Sequence, residues 1–322
     1  MQKSKLAIRL RVIYLLLFSL KLCLISYGQT IKSEGQPSLM ILGTIQDAGS
    51  PHIGCRKSCC KSLFVTPDPN RKVVCLGIVD PESGKKFLVE ATPDITEQTK
   101  KLWKHSGSAG NEIPDAIFLT HAHIGHYTGL MYLGREGYNT KNIPVYTMPK
   151  MRIFLETNGP WDQLVKINNI ELREMQAEVP VTLTPNLTII PFSVPHRGEY
   201  SETIGFVISG KNKKVLFIPD IDKWHLWEKS IIDEIAKVDY AFLDATFYDS
   251  SEVNNRNISE IPHPFVEESF SLFDNLSLKE KSKIHFIHFN HTNPALEAES
   301  LKAKLIISKG YKIAKYGEII NL

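Results

Sequence analysis

The stretch that decides the reading of this chain is Ala116-Ile117-Phe118-Leu119-Thr120-His121-Ala122-His123-Ile124-Gly125-His126-Tyr127-Thr128-Gly129-Leu130. A short apolar run ends abruptly in three histidines at i, i+2 and i+5. The run is continuous and bounded by polar residues, the pattern of a buried parallel strand. Such a strand carries its last side chains out at the C-terminal edge of a sheet, where open α/β folds place their sites. Three imidazoles in six residues exceed what core packing can satisfy, and imidazole commonly binds zinc, iron and manganese. A metal centre is expected here.

Other apolar strands end in the same kind of residue. Residues 187–194 run into Pro195-His196, and 214–218 into Pro219-Asp220-Ile221-Asp222. Residues 238–243 end in Asp244-Ala245-Thr246, and 284–289 carry His285 and His288, with His291 just beyond. Alternation puts His288 and Phe286 on one face of that last strand and His285 on the other.

At these residues the chain resembles the metallo-β-lactamase fold family, whose signature at such a strand end is H-x-H-x-D-H. Gly125 stands where that family has an aspartate ligand of the second metal. Within the superfamily the chain is similar to the pyrroloquinoline quinone biosynthesis protein B group over roughly residues 38–322. Four segments carry the similarity: Asp47-Ala48-Gly49-Ser50-Pro51, the His121 segment, Ser193-Val194-Pro195-His196, and His288-Phe289-Asn290-His291-Thr292-Asn293-Pro294.

The resemblance implies an α/β (α+β) fold, an αββα sandwich of two mixed sheets flanked by helices. Strand-rich halves that each finish in helices fit that layering. It implies one metal held by His121, His123 and His196, with Asp220 or water as fourth ligand. A second metal would take His126, His288 and Asp220; with Gly125 contributing nothing, that site is conditional, its gap filled by water, substrate or His263. Asp222 competes with Asp220 for the bridging role, and His291 with His288. Asp244 corresponds to an acidic residue that supports such sites by orienting histidines. His263 falls where related phosphodiesterases carry a proton-donating histidine; Tyr200, in the loop with Arg197 and Glu199, is its alternative. Zinc is the expected metal, with iron and manganese open.

His52, Cys55, Cys59 and Cys60 form a second candidate site, since this tight spacing suits a tetrahedral structural zinc. A disulfide, Cys55 to Cys59 or either to Cys75, or free thiols, are the alternatives in an oxidising compartment.

Residues 1–28 stand apart from the rest. A basic start (Lys3, Lys5, Arg9, Arg11) precedes an apolar run broken once by Lys21, and Ser26-Tyr27-Gly28 offers a small-residue cleavage site. That is a secretory signal peptide, which predicts export to the periplasm or beyond and a single domain over 29–322. Membrane contact is expected only through this segment if it stays uncleaved. It carries five basic and no acidic residues, so its removal takes the net charge from +3 to −2. A mature chain near neutrality has no electrostatic footprint for nucleic acid, which argues against tRNA-processing nucleases. The apolar fraction of 43% suffices for a globular core.

Coarse patterning predicts a helix capped by Thr92 and Pro93, a short helix over 127–134, an amphipathic segment over 161–174, a helix from 265 to 273, another over 295–308 with Leu301, Leu305 and Ile306 inward, and a final strand over 311–320. Asp94 is expected as a first-turn acid rather than a site residue. The leading functional expectation is hydrolysis of an ester, amide or phosphodiester in a small-molecule substrate by a metal-activated hydroxide. Iron-dependent oxidation related to pyrroloquinoline quinone biosynthesis, and a non-catalytic exported binding protein, are the alternatives. Oligomeric state is left open.

Overall fold

Among the described residues, 35–253 and 260–322 of a computed structural model, fourteen strands form two sheets. The expected signal segment 1–28 and the first residues of the expected domain lie outside the described residues. The first sheet takes β1 (Ser38–Gly43), β2 (Cys75–Asp80), β3 (Lys85–Val89), β4 (Ala116–Phe118), β5 (Ile143–Thr147) and β6 (Ile170–Glu174). The second takes β7 (Val181–Thr184), β8 (Leu187–Ser193), β9 (Ile204–Ser209), β10 (Lys214–Ile218), β11 (Tyr240–Asp244), β12 (Ile284–Ile287) and β13 (Lys312–Ile313), and β14 (Ile319–Asn321) returns to pair with β1.

Both sheets are mixed. In the first, β14, β1, β2 and β3 run antiparallel and β3 to β6 parallel. In the second, β7 to β10 are antiparallel and β10 to β13 parallel. The inner faces pack together through Leu39, Ile78, Phe118, Ile189, Phe206 and Phe217. Phe118 stacks on Tyr146 at 4.5 Å and meets Phe206 edge-on at 6.2 Å, so it joins the two sheets. Truncating a buried ring of this kind to alanine costs about 3–5 kcal/mol.

Helices cover both outer faces. Ile95–Ser106, Pro149–Thr157 and Trp161–Lys166 bury Ile95, Leu102, Met151, Leu155 and Leu164 against the first sheet. Ile231–Ala236, Val266–Phe273 and Leu301–Ser308 bury Ile235, Phe270, Phe273 and Ile306 against the second. This is the αββα sandwich.

Several local expectations are corrected. The segment 161–174 is a one-and-a-half-turn helix followed by β6, because Asn168 turns left-handed (φ 60°) and ends the helix. Residues 124–127 form one helical turn and Thr128–Leu133 a 3-10 helix, so the helix starts inside the histidine motif. Leu301 is 85% exposed and Leu305 half exposed; only Ile306 and Ala303 face inward, since the helix begins at Leu301 rather than at 295. The 311–320 segment divides into β13 and β14, one in each sheet. The helix starts at Ile95 with Asp94 at its N-cap position, two residues beyond Thr92, although the Thr92 hydroxyl still accepts from Asp94 N at 3.0 Å. Asp94 reaches back to Val73 N at 2.8 Å and ties the helix start to the first sheet.

Candidate metal centre

The parallel strands β3, β4, β10, β11 and β12 all finish near one sandwich edge, and the residues that follow them form the site. β4 is followed by Thr120 and His121, β3 by Glu90, β10 by Asp220, β11 by Thr246 and β12 by His288. Antiparallel β8 brings Pro195 and His196 to the same edge.

Hydrogen bonds around the histidines decide which ring nitrogen faces inward. Thr120 donates its hydroxyl proton to Glu90 Oε1 at 2.5 Å, so at 2.8 Å it accepts from His121 Nδ1. The second sheet repeats the relay: Thr246 donates to Asp244 Oδ1 at 2.7 Å and accepts from His288 Nδ1 at 2.8 Å. His196 Nδ1 lies 2.8 Å from Asp222 Oδ1 and His126 Nδ1 3.1 Å from Glu90 Oε1. Four imidazoles therefore turn Nε2 inward. His123 is the exception, with Nδ1 3.8 Å from Asp220 and Nε2 3.6 Å from Glu199 at the rim.

Asp220 sits where these nitrogens converge. Its carboxylate lies 3.3 Å from both His121 Nε2 and His196 Nε2, and 4.0 Å from His126 Nε2 and His288 Nε2. Asp220 is 2% exposed, and His121 Nε2 and His196 Nε2 are buried with no hydrogen-bond partner among the described residues. The lone pair of a neutral His121 Nε2 facing the Asp220 carboxylate is repulsive, and burying unsatisfied polar atoms costs about 1–3 kcal/mol each. A cation between them removes both penalties. One set, His121, His123, His196 and Asp220, has its ligand atoms within 4.8 Å of one another; so has a second, Asp47, His126, Asp220 and His288. Imidazole and carboxylate ligands of this kind fit zinc, and also iron or manganese.

Electrostatics divide the histidines. Burial and the neighbouring His126 push His121 down to about 3, so it is neutral and ready to bind a metal. Burial opposes the charge on His126, yet Asp47 and Glu90 hold it well above its ordinary range. Burial likewise opposes His196, but Asp220 and Asp222 raise it to about 9. Burial would raise Asp220, and the charges of His263, His196 and His288 instead hold it well below the carboxylate range. Glu90 (φ 81°) and His288 (φ 64°) both adopt left-handed backbone without being glycine. Such residues cost about 1–3 kcal/mol and concentrate at functional sites.

Structure and expectation differ most at the cysteines. Cys55, Cys59 and Cys60 come together with His291, not His52, each offering a ligand atom within 4.8 Å of the others. The thiols are free, with Sγ separations of 3.9 Å (Cys55–Cys59) and 4.0 Å (Cys59–Cys60), so no disulfide joins them. A tetrahedron with metal–sulfur bonds of about 2.3 Å has an edge of about 3.8 Å. His52 offers no ligand atom to this set; its Nδ1 bonds Ile53 O at 2.7 Å and its ring stacks on His291 at 4.3 Å. His291 is thereby no rival to His288. Cys75 is buried apart from the cluster and directs its thiol to Glu90 O.

His263 Nδ1 lies 2.9 Å from Asp244 Oδ2 and 3.1 Å from Asp220 Oδ1, at the edge of the centre. Asp244 supports His263 and, through Thr246, His288; Asp222 supports His196 and does not take Asp220's central place. Tyr200, 62% exposed, packs on Phe154 at 5.2 Å, and Glu199 rather than Arg197 approaches a site histidine. Sequence reasoning missed Glu90 and Asp47. Glu90 had one visible signal, a carboxylate directly after a buried apolar strand; Asp47 had only its place at the head of a segment that carries the family resemblance.

Comparison with known proteins agrees with the fold. The family model "Beta-lactamase superfamily domain" matches residues 85–289. Coenzyme PQQ synthesis protein B from Methylorubrum extorquens (strain PA1) is 24% identical over 310 residues, covering 88% of this chain and 99% of its own. The structure of Zn(2+)-bound PqqB from Methylobacterium extorquens superimposes with a TM-score of 0.72 at 22% identity, over 88% of this chain and 100% of that one. A diphosphatase from the PhnP family superimposes with a TM-score of 0.59 at 21% identity, over 88% and 96%.

Proposed function

This chain belongs to the β-lactamase superfamily, and on that premise we propose that it is an exported metal-dependent hydrolase acting on an ester, amide or phosphodiester of a small molecule. One observation carries the reading: His121 Nε2 and His196 Nε2 are buried without a hydrogen-bond partner among the described residues, and with His123 and Asp220 they offer ligand atoms within 4.8 Å of one another. His121, His123 and His196 would hold the first metal, with Asp220 reaching from it toward His126 and His288. A divalent ion held there supplies Lewis acidity to the scissile group and a water of lowered pKa.

The chain's own groups supply the rest. The Thr120–Glu90 and Thr246–Asp244 relays fix the tautomers of His121 and His288, so no reorientation is needed when substrate arrives. Burial opposes protonation of His263, but Asp244 and Asp220 keep it charged well above the ordinary histidine range. With Nδ1 committed to those carboxylates, its Nε2–H is the proton available to a departing alkoxide or amine. Cys55, Cys59, Cys60 and His291 would hold a structural zinc. Export rests on the basic-then-apolar segment before residue 29. No helix of the described residues is long and apolar enough to cross a membrane.

The test is a panel of chromogenic phosphodiester, thioester and lactone substrates beside elemental metal analysis and a His121→Ala control. The expected result is turnover that His121→Ala and chelation abolish, with zinc in the wild-type protein and mature chains beginning at Gln29. A protein that binds no ion overturns the reading. Bound iron with oxygen-dependent product formation and no hydrolysis replaces it with the oxidative one.

A further inference from the structure

Gly125 leaves a gap in the histidine motif, and Asp47 occupies it. A Cβ at position 125 would come 2.4 Å from Asp47 Cα, 2.8 Å from its Cβ and 2.8 Å from its Oδ1. Real Cβ atoms do not approach other atoms so closely. The motif thus lacks a side chain at the place where the carboxylate of another segment stands.

That carboxylate points into the centre. Asp47 Oδ1 lies 2.8 Å from His126 Nε2 and 3.3 Å from His288 Nε2, and its side chain is 11% exposed. The other nitrogen of each ring faces away from the centre, His126 Nδ1 lying 3.1 Å from Glu90 and His288 Nδ1 bonding Thr246. Asp47 and Asp220 together bring two carboxylates to two imidazoles, a donor set suited to a divalent ion. The backbone holds the loop in place: Gln46 N donates to Phe289 O at 2.9 Å, and Ile45 bridges both Val73 and Phe289. Asp47 is therefore anchored beside His288.

We infer that Asp47 is the carboxylate ligand of a complete second metal site, made of Asp47, His126, Asp220 and His288. The family's ligand at the position of Gly125 has been exchanged for one delivered from the loop after β1. The second ion is then a built site rather than a conditional one. This deepens the hydrolase reading and rests on the centre binding metal at all. The competing account is that His126 is a permanent imidazolium bridging Glu90 and Asp47, with no ion between it and His288.

Equilibrium dialysis of the apo-protein against cobalt(II) separates these. Thiolate-to-metal absorption reports the cysteine site, and the visible ligand-field bands report the cleft. Wild-type protein is expected to take up two cleft ions besides the thiolate-bound one. Asp47→Asn, close to isosteric, should lose one cleft equivalent or bind it at least 100-fold more weakly, with thiolate absorption and circular dichroism unchanged. Gly125→Ala should lose the same ion while keeping Asp47, because the added methyl displaces the loop. If Asp47→Asn keeps both cleft ions at wild-type affinity, the assignment is wrong. If wild-type protein holds one cleft ion and Asp47→Asn holds it equally well, the assignment fails and the hydrolase reading stands. If the cleft takes up no ion, both fail.

Discussion

Asp222 Oδ1 lies 2.8 Å from His196 Nδ1, and this contact turns Nε2 toward Asp220. A carboxylate in that position fixes the ring and raises the basicity of the facing nitrogen. Asp222→Ala should weaken the first metal site 10- to 100-fold, the usual size of such an effect, without unfolding the chain. Competition with a chromophoric chelator measures it; an unchanged dissociation constant would show the contact to be idle.

The cysteine cluster separates two histidines that sequence spacing confuses. His291→Ala should abolish thiolate-to-cobalt absorption, whereas His52→Ala should leave it in place and remove only the stacked ring. Cys59 makes the dependence on metal clear, because burial and the adjoining thiols push it up to about 12. Without an ion it stays protonated at neutral pH. Absorption lost in His52→Ala and kept in His291→Ala would reverse the assignment.

Proton donation by His263 should appear in the leaving-group dependence. His263→Asn should lower kcat by about 10²- to 10⁴-fold for substrates with poor leaving groups and change it little for a nitrophenolate. Metal content should stay at the wild-type value. Equal loss on both substrate types would make His263 a positioning residue instead.

His285 gives a prediction independent of metal. It is 1% exposed, lies against Phe242 at 4.8 Å, and neither ring nitrogen has a hydrogen-bond partner among the described residues. Burial, with some help from Lys312, holds it at about 4. Between about pH 6.5, where an exposed histidine titrates, and that value, the unfolded chain binds a proton that the folded chain does not. Stability is therefore present above pH 6.5 and lost as the pH falls toward 4, by about 3 kcal/mol at about 1.4 kcal/mol per pH unit. His285→Phe should flatten the fall in Tm between pH 7 and pH 4.5; a fall as steep as in wild type would place the acid sensitivity elsewhere.

The fold was readable because its decisive strands are short apolar runs that stop at a ligand-bearing residue, a pattern that survives without alignment. His121, His196, Asp220 and His288 were legible for that reason. Residues 161–174 were not, since the alternation of β6 is hidden behind an amphipathic helix and only the left-handed Asn168 separates them. His291 was attached to the wrong site because proximity along the chain favoured His52, whereas the end of β12 lies beside the cysteine loop. Asp47 is 79 residues from His126, and nothing local in either segment announces a pairing at that separation.

The donors alternate between the two sheets: His121, His123 and His126 come from one, His196, Asp220 and His288 from the other. Thr246 and Asp244, which orient the last histidine, are made late. A ribosome therefore releases most of the polypeptide before any ion can find a full set of ligands. Metal capture at the second set would wait for His288, so a product truncated before β12 would be distinguishable from the full chain by that missing ion alone.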